Sequence, residues 1–154
     1  MLVSSGPSIH ASAVLVGAHA VLIRGPSGAG KSRLALELIQ AGPRPFTRLV
    51  ADDRVLVEAA HGRLLLRPVP SLAGLIEVRG LGIIRLPHEP LAVASLVVDL
   101  GAPAERMPED AAVSTRIEGI RLPRLAVASG NPFSTVVAAL TSGRFPNSGT
   151  DAGT

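Results

Sequence analysis

The chain has 154 residues, of which 47% are hydrophobic and 18% charged, with a formal net charge of +3, three Phe and no Trp, Tyr or Cys. That length suits one domain with an aliphatic core, and the lack of cysteine excludes a disulfide framework or a thiolate metal site. Mild, dispersed positive charge without stacking aromatics excludes a nucleic-acid footprint and an aromatic clamp for a base.

The first nine residues lack the charged-then-apolar pattern of a secretory signal, and no apolar run reaches the length of a membrane span. The expectation is a cytoplasmic protein with no membrane or nucleic-acid partner. Ser8–Val16 reads as a strand, Gly17-Ala18 as a tight turn and His19–Arg24 as a second, largely apolar strand. Residues 25–30 form a loop. Lys31–Ala41 carries Leu34, Leu36, Leu38 and Ile39 among good helix formers, and Gly42-Pro43 stops it. Residues 48–51 read as a short strand ending at Asp52-Asp53. Residues 55–59 and 63–67 read as a hairpin around Ala60-His61-Gly62. Residues 76–78 and 83–86 flank a glycine-rich turn, and 93–100 is another apolar strand. Residues 103–110 are a polar loop, 119–128 hold one more strand, and 131–140 read as a final helix. One strand-loop-helix unit among many strands joined by short turns predicts an α/β fold with a mixed sheet rather than a fully parallel one. Residues 145–154, rich in Gly, Ser, Asn and Thr, are expected to be disordered, leaving 1–144 as the domain.

Gly25-Pro26-Ser27-Gly28-Ala29-Gly30-Lys31-Ser32 fits the P-loop pattern G-x-x-x-x-G-K-[ST]. Glycines let the backbone wrap a phosphate and turn its N–H groups inward, and the next helix adds its positive end. Lys31 can reach the β- and γ-phosphates, and the Ser32 hydroxyl is an oxygen ligand of the kind Mg²⁺ takes. An apolar strand before the loop and a stopped helix after it supply the required context.

Asp52-Asp53 closes the strand Leu49-Val50-Ala51. Carboxylates placed there can hold Mg²⁺, directly or through water, or accept a proton from an attacking hydroxyl. Alternation along an extended chain lets the two divide those tasks; the plainer alternative is a turn. In Ile76-Glu77-Val78-Arg79-Gly80-Leu81-Gly82-Ile83-Ile84, Glu77 is a candidate metal ligand and Arg79 a candidate for stabilising phosphoryl charge, against a surface ion pair on a strand. His10 and Arg106 carry weaker signals, with structural and solvated roles as their alternatives.

Taken together, these segments resemble the catalytic domain of bacterial HPr kinase/phosphorylase, a family that phosphorylates a serine of the phosphocarrier protein HPr. Ile9-His10-Ala11 is similar to its His motif, Gly25 to Ser32 to its P-loop and Leu49 to Asp53 to its acidic motif. The stretch from Ile76 to Ile84 is similar to its signature sequence, the most specific of the four matches. The likeness is strong from about His10 to Leu86. It implies a fold like the nucleotide-binding core of phosphoenolpyruvate carboxykinase, and use of ATP and Mg²⁺. It implies that Lys31 and the loop bind ATP phosphates and that Ser32 and Glu77 hold Mg²⁺. Asp53, with Asp52 close by, would take the proton from serine, and His10 would lie near the phosphates. Glu105-Arg106-Met107 is similar to the family's Asp-Arg-Leu, which implies a catalytic role for Arg106. The chain resembles the short, alphaproteobacterial-type form without the N-terminal domain. Leu122-Pro123-Arg124-Leu125-Ala126-Val127 departs from the segment tied to dephosphorylating HPr, so the kinase rather than the phosphorylase activity is implied. The hexamer of long members is not carried over, and a homo-oligomer is left open. Two rivals stand beside this reading: a small-molecule P-loop kinase and a non-catalytic nucleotide-binding regulator.

Overall fold

The computed structural model describes residues 6–102, 113–128 and 131–142. Arg106, the polar loop at 103–110 and the tail at 145–154 lie outside the described residues. Strands β1 (Ser8–Val16) and β2 (His19–Arg24) form an antiparallel hairpin, and α1 (Lys31–Ala41) follows the glycine loop. Helix α1 ends where expected: the Gly42 N–H donates to the Leu38 carbonyl at 2.9 Å, and a Cβ at Gly42 would lie 2.3 Å from that oxygen. Then come β3 (Thr47–Ala51), β4 (Arg54–Ala60), β5 (Arg63–Pro68), a single 3-10 turn (Pro70–Leu72), β6 (Leu75–Val78) and β7 (Gly82–Arg85). Strands β8 (Ala92–Leu100), β9 (Ser114–Ile117) and β10 (Ile120–Val127) lead to α2 (Pro132–Thr141), which Asn131 caps by accepting from the Ser134 N–H.

The mixed sheet is present: β2, β8 and β10 run parallel to one another, while β1 pairs antiparallel with β2, β3 and β4. Two features go beyond the sequence reading. The stretch 119–128 is the second arm of a hairpin, because Glu118 and Gly119 both hold positive φ, 50° and 80°, and turn the chain back on Ser114–Ile117. A Glu at the first of those positions is an unusual choice, which is why the turn was not visible. The larger departure is closure: β2–β1, β1–β4, β4–β5, β5–β8 and β8–β2 pair in a ring, so the sheet rolls into a small barrel.

The barrel interior is filled by one apolar cluster that includes Ala11, Ala13, Ala20, Leu22, Val55, Val57, Leu64, Leu66, Ala92, Ala94 and Val97. A ring of so few strands is narrow, and alanines alternating with larger aliphatics fit its bore. A second cluster lies outside the barrel wall, where Leu34, Ala35 and Leu38 of α1 meet Val14, Val21, Ile23, Leu49 and Ile76. Leu34 and Leu38, four positions apart, present one stripe to the sheet. Burial of each contributes about 1.5–3 kcal/mol. The β6–β7 ribbon lies on α1 through Ile76, Val78 and Ile84, its other face turned outward.

Candidate functional site

The glycine loop joins the C-terminal end of β2 to the N-terminal end of α1. Gly25 packs so tightly that a Cβ would lie 3.0 Å from the Leu100 carbonyl oxygen and 3.3 Å from Ala29 Cβ. Gly28 and Gly30 instead face open space and hold φ of 84° and 98°, which disfavours other residues. The first turn of α1 has neither a side-chain cap nor an acidic residue of its own, so no side chain of the turn itself offsets the positive end of its dipole. Lys31 is buried and folds back across the loop, donating from Nζ to the carbonyls of Gly25 at 2.9 Å and Pro26 at 3.1 Å. A cation, two left-handed glycines and an uncapped helix N-terminus thus share one short segment, a combination suited to anionic oxygens.

The acidic pair sits at a change of partner. Strands β4 and β3 lie antiparallel to β1 against Ser8–His10 and Ala13–Val16 in turn, and the chain crosses between them through Asp52 and Asp53. The crossing is sharp. Asp53 has φ 71°, and the Arg54 N–H donates to the Asp52 carbonyl at 2.8 Å, a γ-turn with a left-handed centre. Such a conformation costs about 1–3 kcal/mol and persists only where the surroundings enforce it, here partly through the Ala11 N–H donating to the Asp53 carbonyl. Its effect is to separate the two side chains: Asp52 is buried and Asp53 exposed.

Each carboxylate has its own partners. Asp52 Oδ1 accepts from Ser12 Oγ at 2.6 Å and Ser32 Oγ at 2.7 Å, while Oδ2 accepts from Ser32 Oγ at 3.0 Å and the Glu77 N–H at 3.4 Å. Because Ser32 gives its proton to Asp52, its lone pairs remain available to a cation. Asp53 Oδ1 lies 3.2 Å from His10 Nε2. The structure therefore brings together Lys31, Ser32 and Asp52 on one side, and His10 and Asp53 on the other. Glu77 takes part through its backbone N–H, with its carboxylate exposed. Arg79 is exposed on the ribbon, and among the described residues it makes no ion pair with Glu77.

Among the described residues no group of three or more His, Cys, Asp or Glu forms a metal cage. The donors at hand are hard oxygens, the Ser32 hydroxyl and the Asp52 carboxylate. They are ligands of the kind Mg²⁺ would take, and the two side chains would hold it only in part.

Sequence reasoning missed two parts of this region. Ser12 is a polar residue in an otherwise apolar stretch of β1, and alternation puts it on the same face as His10. The other is Asp99 on β8, which accepts from Arg24 Nε at 2.7 Å and Arg24 Nη2 at 2.9 Å, and also from Arg124 Nε. Burial would raise the Asp99 carboxyl pKa, but hydrogen bonds and charge from Arg24 and Arg124 together hold it below the usual value. This cluster ties the last residue of β2, directly before Gly25, to β8 and β10. Its members are far apart in sequence and had no motif to betray them.

Residues 3–89, more than half of the chain, match the family model of the HPr Serine kinase C-terminal domain. The chain belongs to that family. It is 49% identical over 67 residues to an HPr kinase/phosphorylase of Clostridium tetani, a match covering 44% of this chain and 21% of that protein. It is 49% identical over 78 residues to one of Streptococcus thermophilus, covering 50% of this chain and 24% of that protein. The chain thus spans about a fifth to a quarter of these relatives. The solved structure of the Hpr(Ser) kinase/phosphatase from Coxiella burnetii superposes with a TM-score of 0.74 at 26% identity, covering 90% of this chain and 96% of that one. The mixed α/β fold is therefore that of an HPr kinase structure. No described helix is long and apolar enough to cross a membrane.

Proposed function

We propose that this chain is a Mg-ATP-dependent protein serine kinase that transfers the γ-phosphoryl group of ATP to a serine of the phosphocarrier protein HPr. The reading takes residues 1–144 as its catalytic domain, with a nucleotide-binding core of the phosphoenolpyruvate carboxykinase kind. The observation that carries it is the division of the acidic pair: Asp52 bound to Ser32 beside the glycine loop, Asp53 exposed and bound to His10. Membership of the family supports the choice of HPr as acceptor.

The backbone N–H groups of Gly25, Ser27, Gly28 and Gly30, together with Lys31, hold the phosphates; Pro26 has no N–H, and that of Ala29 is given to the Pro26 carbonyl at 3.0 Å. Ser32 and Asp52 hold the metal side, with Glu77 beside them. Mg²⁺, when bound, neutralises phosphate oxygens and so lowers the cost of charge in the transition state. Asp53 accepts the proton of the serine hydroxyl as its oxygen attacks the γ-phosphorus and the bond to the β–γ bridging oxygen breaks. His10 orients the Asp53 carboxylate for that task. Arg106, through the family resemblance alone, is assigned to stabilising the transferred group. Phosphoryl transfer of this type depends on placement and charge more than on covalent chemistry, which is what the loop and the paired carboxylates supply.

The test is to incubate the protein with Mg-ATP and HPr from the same cell and look by mass spectrometry for phosphoserine. Phosphoserine on HPr is the expected result. ATP binding without transfer to HPr would leave a regulator, and phosphorylation of a metabolite instead would leave a small-molecule kinase.

A further inference from the structure

We infer that Ser12, a buried hydroxyl on β1, is a positioning residue that locks the Asp52 carboxylate in the orientation that receives Ser32. The inference deepens the kinase reading and rests on it for its consequence, metal-dependent nucleotide binding.

Ser12 is 0% exposed and lies between Ala11 and Ala13, with Val14 beyond, all fully buried. A hydroxyl in such a place is unfavourable unless it is hydrogen-bonded. Its partner is Asp52 Oδ1 at 2.6 Å, the shortest of the contacts that carboxylate receives. The three donors come from three elements: Ser12 from β1, Ser32 from α1 and the Glu77 N–H from β6. Ser32 belongs to the first turn of α1, directly after the glycine loop, and Glu77 reaches Asp52 only at 3.4 Å. Ser12 is the donor set rigidly in the barrel wall, and no ligand in the loop can draw it away. Strand alternation puts His10 two residues earlier on the same face, against Asp53. One strand thus positions both carboxylates of the pair. Outer-shell groups that aim a metal-side ligand typically govern metal affinity by tenfold or more.

The experiment measures the free Mg²⁺ concentration needed for half-maximal ATP binding, by calorimetry, in the wild type and in S12A. It also follows amide hydrogen exchange at Glu77 in the protein alone, without metal or nucleotide. S12A should raise the Mg²⁺ midpoint about tenfold, leave ATP affinity without Mg²⁺ unchanged and speed exchange at Glu77, with Leu64 and Leu66 of β5 unaffected. S12T should restore both properties and S12V, which matches its volume without a hydroxyl, should not; this pair decides the matter if S12A folds poorly. A wild-type midpoint and wild-type Glu77 exchange in S12A and S12V would overturn the inference. So would uniform loss of protection along β1 with equal loss of ATP affinity with and without Mg²⁺, the mark of a packing role alone. If the wild type bound no nucleotide, the kinase reading would fall, while exchange at Glu77 would still show whether Ser12 holds Asp52.

Discussion

His10 Nε2 and Asp53 Oδ1 lie 3.2 Å apart, with the two side chains 48% and 66% exposed. This pairing leaves the more accessible carboxylate of the acidic pair open to solvent while one of its oxygens is already held. Under the proposed mechanism, D53N should lower phosphoryl transfer about 10²- to 10⁴-fold. ATP affinity should be unchanged, because Asp53 touches neither the loop nor Ser32. Transfer assays with radiolabelled ATP, run beside calorimetry, separate the two effects, and full activity in D53N would remove Asp53 from its role.

The Lys31 side chain spans the glycine loop, through the carbonyls of Gly25 and Pro26. Under the proposed mechanism K31A should abolish both ATP binding and transfer, since Lys31 is the only buried cation among the described residues. Calorimetry on the purified variant checks this, with circular dichroism confirming that α1 remains folded.

Asp52 differs from Asp53 in being buried under hydroxyl donors. D52A would leave Ser12 Oγ without its partner in an apolar wall and release Ser32 and the Glu77 N–H. We expect a loss of about 3 kcal/mol in stability, read as a lower urea midpoint with unchanged slope. The same variant should lose the Mg²⁺ dependence of ATP binding.

The Asp99 cluster predicts a pH dependence with a definite sign. Its folded-state pKa is depressed, so its contribution is fully present above the unfolded carboxyl value of about 3.9 and fades as pH falls through the lower folded value. D99A removes the carboxylate that Arg24 and Arg124 share and should cost about 1.5–3 kcal/mol near neutral pH. The gap between wild type and D99A should shrink as pH is lowered below about 4. Urea titrations at several pH values measure it, and a gap independent of pH would contradict the assignment.

The barrel interior makes a packing prediction. Ala13 and Ala94 are 0% and 2% exposed inside the ring. Enlarging either to Leu should destabilise the protein by about 1–3 kcal/mol or more, since a narrow closed ring cannot widen without breaking strand pairs. Thermal unfolding of A13L and A94L checks this, and an unchanged midpoint would show that the ring is looser than its pairing implies.

Local chemistry made much of this protein legible in its sequence. The bounds of β1, β2 and α1 follow from apolar runs cut by Gly17-Ala18, Gly25 and Gly42-Pro43, all short-range signals. The glycine loop and the adjacent carboxylates were readable because their chemistry depends on fixed spacing along the chain. Ring closure was not readable, because the pairing of β2 with β8 joins residues some 75 positions apart and leaves no periodicity behind. For the same reason Ser12 looked like one small residue in a strand, and Asp99 like one charge among many. Which of two neighbouring aspartates is buried was likewise decided by the left-handed turn at Asp53, which β1 enforces across the sheet. Short-range order in the chain wrote the motifs; contacts between distant segments gave each member its partner.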